Sequence, residues 1–294
     1  MPEIHGDSSP EREKFTITAA NDPETARDLP APFQTGRATA VPASELDAHR
    51  RSFRENGYLV FKRVVDGAKL TDLTRELIDA YEWERTHGLL FEGGGTVSGH
   101  LNCFPGAASR FVYDALEARG IFEIVRALSP APLRMPNVGC NFNLPGSHEQ
   151  NDHVDGDPAR PFFVVNVAAV DTDLTNGAME VLAKTHRCTL PYWKLLLDRP
   201  ERLRLAMNQG DVLVRVSTLW HRGMPNQTAR PRPMLAFTWE DGGTDTDDPY
   251  RIHDGKIKFL PNRYGTEWKS RLRERAFSVS PRVGTVYLAI RSLF

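Results

Sequence analysis

The spacing of apolar positions changes character near residue 131. Before that point the pattern is mostly helical. Ser44 with Asp47 resembles a capping box and opens a short helix that closes at Gly57, a natural C-cap. Residues 58–65 (YLVFKRVV) are β-branched and aromatic and predict a buried strand. From residue 67 to Gly88, Leu70, Leu73, Leu77 and Tyr81 recur at helical spacing and predict an amphipathic helix. Residues 111–130 predict one or two more helices, closed by Pro130. After residue 131, short apolar runs alternate with turn residues: LRMPNVGCNFN, PFFVVNVAAV, AMEVLA, DVLVRVSTLW and RPMLAFTWE. Short strands at irregular spacing point to a sandwich or barrel, not to alternating strand–helix units. The segment PYWKLLLDRPERLRLAMNQG (191–210) reads as a helical insertion. The expected fold is mainly β with flanking helices, in one domain over 43–294. Residues 1–42, with six prolines and little apolar periodicity, read as an extended or disordered arm.

Composition narrows the function classes. With 40% hydrophobic and 26% charged residues, the chain can bury an ordinary globular core. The formal net charge of -1 gives no reason to expect a nucleic-acid partner. No apolar run is long enough to span a membrane, and the polar N-terminus lacks a signal-like hydrophobic stretch. Cys103, Cys140 and Cys188 are far apart and form no CxxC pair. The expectation is a cytoplasmic protein that acts on a small molecule.

Candidate chemistry begins at NDHVDGDP (151–158). His153 and Asp155 are two apart, so an extended chain puts both on one face. A third ligand follows in GDVLVRVSTLWHRGMPNQTARPRPML (210–235), where a Gly-Asp turn leads into a strand with His221 at its end. Two imidazoles and one carboxylate on barrel walls match the facial triad of a non-haem iron site. Such a triad covers one face of the metal and leaves room for a bidentate co-substrate and dioxygen. A zinc site could use the same three residues. Arg232 lies eleven residues beyond His221, at the start of an apolar strand. It is the expected cation for the 5-carboxylate of 2-oxoglutarate, with Arg230 as its competitor.

These residues, in this order, resemble the phytanoyl-CoA dioxygenase family over roughly residues 50–240. The resemblance rests on His153-x-Asp155, TNGAMEV (175–181), the Gly-Asp before a strand, LWHRGMPN (219–226) and Arg232. It implies a double-stranded β-helix (a cupin-like jelly roll) with Fe(II), 2-oxoglutarate and O2 as cofactor and co-substrates. It also implies His153, Asp155 and His221 as metal ligands and Arg232 as the oxoglutarate anchor. Asn151, Asn166 and Asn137 become candidates for contact with the co-substrate. The chain departs from the family at AKTH (183–186), where relatives usually read PGSH. Halogenating relatives replace the carboxylate ligand with a small residue, so Asp155 implies hydroxylation or a related oxidation in place of halogenation.

Substrate selection falls to the segment that covers the barrel mouth in this family. Here that segment is FEGGGTVSGHLNCFPG (91–106), with His100, Asn102 and Phe104 as candidates. Their polarity suggests a polar small molecule, as in specialised metabolism. Two other readings remain: a metal-dependent hydrolase or isomerase on a cupin-like barrel, and a non-catalytic sensor on the same fold. The basic stretch 256–275 reads as a solvated helix face, with a lid that meets an anionic substrate as the alternative.

Overall fold

The computed structural model describes residues 41–187 and 190–293. All but the last two residues of the expected arm, and Cys188, lie outside the described residues. Helix α1 (Ala43–Asn56) leads to β1 (Tyr58–Phe61), α2 (Gly67–Thr86), β2 (His100–Phe104), α3 (Arg110–Ala118) and α4 (Ile121–Leu128). Strands β3 (Asn137–Asn143), β4 (Phe163–Ala168) and β5 (Glu180–Leu182) follow, then α5 (Tyr192–Asp198) and β6 (Arg202–Arg204). The chain continues through β7 (Val212–Val216), β8 (His221–Arg222), β9 (Arg232–Thr238) and β10 (Lys258–Leu260) to α6 (Trp268–Val279) and α7 (Pro281–Arg291).

Among the described residues, the strands form a seven-stranded sheet in the order β1-β7-β4-β9-β3-β2-β10 and a three-stranded sheet in the order β6-β5-β8. Every pairing is antiparallel. The order is far from sequential, as expected when strands cross between the two sheets of a jelly roll.

Period-2 alternation explains why the strands read as nearly unbroken apolar runs. In β4, Val165 and Val167 join the main core against the helices, while Val164, Asn166 and Ala168 point the other way, between the sheets. In β9, Leu235 and Phe237 join the main core, and Arg232, Met234, Ala236 and Thr238 line the interior. Both faces of the large sheet are covered, so even the inward polar positions Asn166, Arg215 and Arg232 are buried. The main core packs Leu70, Leu73 and Leu77 of α2 and Ile121, Phe122 and Val125 of α4 against this sheet. Trp239 belongs to that core, and Trp220 packs with Tyr192, Leu195 and Leu182 in a separate cluster.

Three local expectations are corrected. The Ser44–Asp47 capping box does not form, because the helix already starts at Ala43 behind Pro42 and has no side-chain cap; Gly57 does close it, at φ 81°. The strand at 58–65 is shorter, ending at Phe61, because the chain then turns over Asp211. The helical insertion at 191–210 is only half helical. Pro200 follows α5, and the chain re-enters a sheet as β6. The stretch 111–130 is two helices, parted at Gly120 with φ 71°.

Phe142 is fully buried, with its ring centroid 5.4 Å from Tyr81 and 5.3 Å from Phe259. It ties α2, β3 and β10 together. Replacing Phe142 with alanine is expected to cost about 3–5 kcal/mol. The check is a lowered urea midpoint with an unchanged denaturant slope.

Candidate active site

The two sheets meet at the three residues singled out by spacing. His153 pairs with His221 through reciprocal main-chain hydrogen bonds, N–H to carbonyl, of 2.9 and 3.0 Å. This bridge extends the small sheet by one step. Asp155 is held two residues on by its N–H donating to the Ser217 carbonyl at 2.9 Å. The candidate ligand atoms of His153, Asp155 and His221 all lie within 4.8 Å of one another.

The donor atoms are prepared for a metal. The Nδ1 atoms of His153 and His221 each lie 2.9 Å from a backbone carbonyl, that of Asn151 and Leu219 respectively. A carbonyl can only accept, so both Nδ1 carry the proton and both Nε2 lone pairs face the cluster. His153 Nε2 is 3.9 Å and His221 Nε2 3.6 Å from Asp155. Burial pushes the His221 imidazole down to about 4, with Arg215 adding to the effect. Burial also holds His153 well below the usual range, helped by the Arg263 and His221 charges. Both rings are therefore neutral, as metal ligands must be.

Burial by itself would raise Asp155, but the Arg215 guanidinium outweighs it and holds the carboxyl well below the usual range. Arg215 Nη2 donates to Asp155 Oδ2 at 2.6 Å, and Arg215 Nε donates to Asn166 Oδ1 at 3.2 Å. Arg215 comes from β7 of the large sheet, so this ion pair joins the two sheets at the site. Sequence reading missed it, although a lone arginine inside VLVRV was a signal. A charge in a doubly covered strand needs an anion.

Behind the triad lies an ionic network. Arg202 donates to both oxygens of Asp152 at 2.9 and 2.8 Å and to Glu180 at 2.8 Å. Arg222 Nε donates to Glu180 at 2.7 Å, and Arg222 also pairs with Glu149. Asp152 precedes His153 and Arg222 follows His221, so the network holds the chain on the far side of both imidazoles.

A cavity of about 500 Å³ opens from the triad. Deep in it stands Arg232, 5% exposed, with burial lowering its guanidinium to about 10. Its Nη2 donates to the Gly177 carbonyl at 2.9 Å, and its Nε has no partner. No carboxylate pairs with it among the described residues. Gly177 belongs to the Asn-Gly turn and has φ 91°; a Cβ there would come within 2.6 Å of the Met224 carbonyl and of Asn143 Nδ2. A buried guanidinium with a spare donor fits the distal carboxylate of a dicarboxylic acid.

His100 and Asn102 line the cavity. His100 Nε2 is 2.6 Å from the His148 carbonyl, and burial lowers its imidazole to about 4. Asn102 accepts from Asn141 Nδ2 at 3.1 Å. Phe104 does not reach the cavity; it is 1% exposed and packs in the core beside His253. The three candidate asparagines lie off the cavity wall. Asn151 donates to the Pro281 carbonyl at 3.2 Å and to Thr285 Oγ1 at 3.4 Å. Asn137 sits exposed at the start of β3, 3.5 Å from the Thr238 carbonyl. Asn166 is buried and supports Arg215. Arg230 does not line the cavity, whereas Asn141, Asn143 and Gln150, all missed in the sequence, do, as does Arg263 of the basic stretch 256–275.

A jelly roll with a two-histidine, one-carboxylate cluster and a buried arginine in one cavity defines the class of non-haem iron oxygenases. The phytanoyl-CoA dioxygenase (PhyH) family model matches residues 53–234, and the chain belongs to this family. It is a 2-oxoglutarate-dependent non-haem iron enzyme, and its residues fit Fe(II) and 2-oxoglutarate. Solved structures with the same fold include the epimerase SnoN in complex with Fe3+, alpha ketoglutarate and nogalamycin RO. It is 16% identical, covers 67% of this chain and 84% of its own, and has a TM-score of 0.55. The non-heme alpha ketoglutarate dependent carbocyclase SnoK from nogalamycin biosynthesis is 16% identical, covers 78% and 100%, and has a TM-score of 0.54. AviO1 from Streptomyces viridochromogenes Tue57 is 16% identical, covers 67% and 96%, and has a TM-score of 0.52. Among the described residues, no helix is long and apolar enough to cross a membrane.

Two outcomes follow. Arg202→Gln is expected to weaken Fe(II) affinity about 10- to 100-fold by freeing the chain around His153; titration of the metal-free protein measures this, and unchanged affinity would remove the network from the site. The metal-free protein is also expected to lose stability as pH falls from about 6.5 to about 4. Over that range His221 and His100 stay neutral when folded, while the unfolded chain takes up protons. Asp155, depressed in the folded state, adds to the loss below that range. Urea midpoints at pH 7 and pH 5 read the difference, with pH 5 lower.

Proposed function

We propose that the protein hydroxylates an unactivated C–H bond of a polar small molecule, in the setting of specialised metabolism. The observation that carries this reading is Arg232, a buried cation without an acidic partner among the described residues, on the same cavity as the triad. Iron with 2-oxoglutarate and dioxygen supplies a two-electron oxidation of C–H, releasing succinate and carbon dioxide. His153, Asp155 and His221 would hold the metal by one face. Arg232 would fork onto the distal carboxylate of oxoglutarate and set its depth in the cavity. Arg215 occupies one oxygen of Asp155 and leaves the other for the metal that the triad would hold. Phe162, Val164, Met179 and Met234 line the wall and exclude water from the reacting face.

Asp155 supports oxygen transfer over halogenation, because a carboxylate stands where halogenating relatives leave space. The named structures include an epimerase and a carbocyclase, so products other than an alcohol belong among the outcomes tested. His100 and Asn102 face the cavity and are proposed to contact the substrate.

The test adds Fe(II) and then 2-oxoglutarate to the metal-free protein without oxygen and records the visible spectrum. A weak metal-to-ligand charge-transfer band is expected, absent in His153→Ala. In Arg232→Ala it should need about 10- to 100-fold more oxoglutarate, the loss of a charge-assisted pair. Bound iron without a band in the wild-type protein would favour the hydrolase or sensor reading. With the band established, a substrate screen that follows succinate and the mass of the product separates hydroxylation from other outcomes.

A further inference from the structure

The segment after β9 contributes a second face to the cavity, and it lies beyond the residues matched by the family. Strand β10 adds to the edge of the large sheet beside β2, with Phe259 opposite Cys103 and Leu260 opposite Asn102. The chain then passes the mouth of the cavity, where Leu260, Asn262, Arg263 and Tyr264 form part of the wall. This passage is pinned. Asn262 donates from Nδ2 to the His100 carbonyl at 3.1 Å and from its backbone to the Gly94 carbonyl at 2.9 Å, and its Oδ1 accepts from Tyr264 N at 2.9 Å. Behind it, the buried Glu274 of α6 accepts from Gly95 N, Ser98 N and Ser98 Oγ at 2.9–3.0 Å.

Three guanidinium groups line the cavity. Arg215 is paired with Asp155, and Arg232 stands ready for the co-substrate. Arg263 has no carboxylate within ion-pair distance among the described residues, unlike its neighbour Arg271, which pairs with Glu92 at 2.6 Å. Tyr264 follows it on the same wall. Arg263 shares the cavity wall with His153 and His221. The other carboxylate on the wall, Glu240, is beside Gly156 and Phe162. Phe162, Leu260 and Met179 give an apolar part to a wall that also carries His100, Asn102, Asn141, Asn143 and Gln150.

We infer that Arg263, with Tyr264, is a substrate-selecting subsite for an anionic group, a carboxylate or a phosphate, on a small molecule that also has an apolar part. This rests on the function proposed above and sharpens its polar substrate to an anion. A planar fork at the mouth holds the anion there, so the apolar part extends toward the triad.

The test uses protein loaded with Fe(II) and 2-oxoglutarate without oxygen. Benzoate, phenyl phosphate and the neutral benzyl alcohol are titrated calorimetrically. At least one anion is expected to bind about tenfold or more tightly than the alcohol, the scale of one charge-assisted pair. Arg263→Gln should abolish that advantage, Arg263→Lys should keep part of it, and the affinity for oxoglutarate should stay unchanged in both. Failure of both anions to bind, equal binding of anions and alcohol, or an advantage that survives Arg263→Gln would overturn the proposal. So would a loss of oxoglutarate affinity in Arg263→Gln, which would place Arg263 in the co-substrate site. If the wild-type protein shows no charge-transfer band, the oxygenase reading fails on its own. The same titration with Fe(II) alone then still decides whether Arg263 selects anions.

Discussion

The reciprocal hydrogen bonds between the backbones of His153 and His221 are the constraint on which the site depends. They join a loop that carries two ligands to the strand end that carries the third. Each imidazole then hands its Nδ1 proton to a carbonyl two residues before it, so both Nε2 atoms turn toward Asp155 without further adjustment. The pairing would be of little use if the two sheets could slide. The Arg215–Asp155 contact crosses from the large sheet to the small one and prevents this.

Electrostatics around the triad are layered. Burial keeps both histidines neutral, and Arg215 keeps Asp155 ionised despite burial. Behind the ligands, Asp152, Glu180, Arg202 and Arg222 carry charges that largely cancel within the cluster. Each of these groups would be costly in isolation, and each has a partner at hydrogen-bond distance. Arg232 is the exception, because its Nη2 meets a backbone carbonyl and no carboxylate pairs with it among the described residues. Its cost is tolerable if an anion from outside completes the pair, which is why its lack of an acidic partner speaks to a ligand more than to stability.

The segment from β10 to α6 changes the character of the cavity mouth. On the β2 side the wall offers amide and imidazole groups, and on the β10 side it offers a cation and a phenol. The apolar side chains between these walls are contributed by strands of the large sheet and by the loop before β4. The barrel thus supplies a chemistry shared across a family, and the proposed selection falls on an added edge strand. Loops and edges can vary without disturbing the inner face, because their side chains do not share the packed interior.

Much of this was legible in the residues themselves. Alternation of period 2 announced strands, and the residue types and order of His153, Asp155, His221 and Arg232 announced the metal and anion chemistry. Such signals survive because metal ligation and carboxylate binding admit few side chains, and local spacing decides which face a neighbour takes. Tertiary structure decided what depends on contacts between distant segments. The pairing of Arg215 with Asp155 spans sixty residues, and the union of Arg202, Asp152 and Glu180 joins three separate segments. Phe104 alternates with His100 and Asn102 in the sequence, yet packing beside His253 takes it into the core. Asn151 and Asn137 stand next to the site in the sequence, but their side chains are taken up by backbone carbonyls elsewhere. Arg263 shows the same limit from the other side. In the sequence it is one of seven basic residues in a run. Only the addition of β10 to the sheet edge brings it, and not its neighbours Lys258 or Lys269, to the wall of the cavity, because strand pairing fixes where the chain passes and solvent takes the rest.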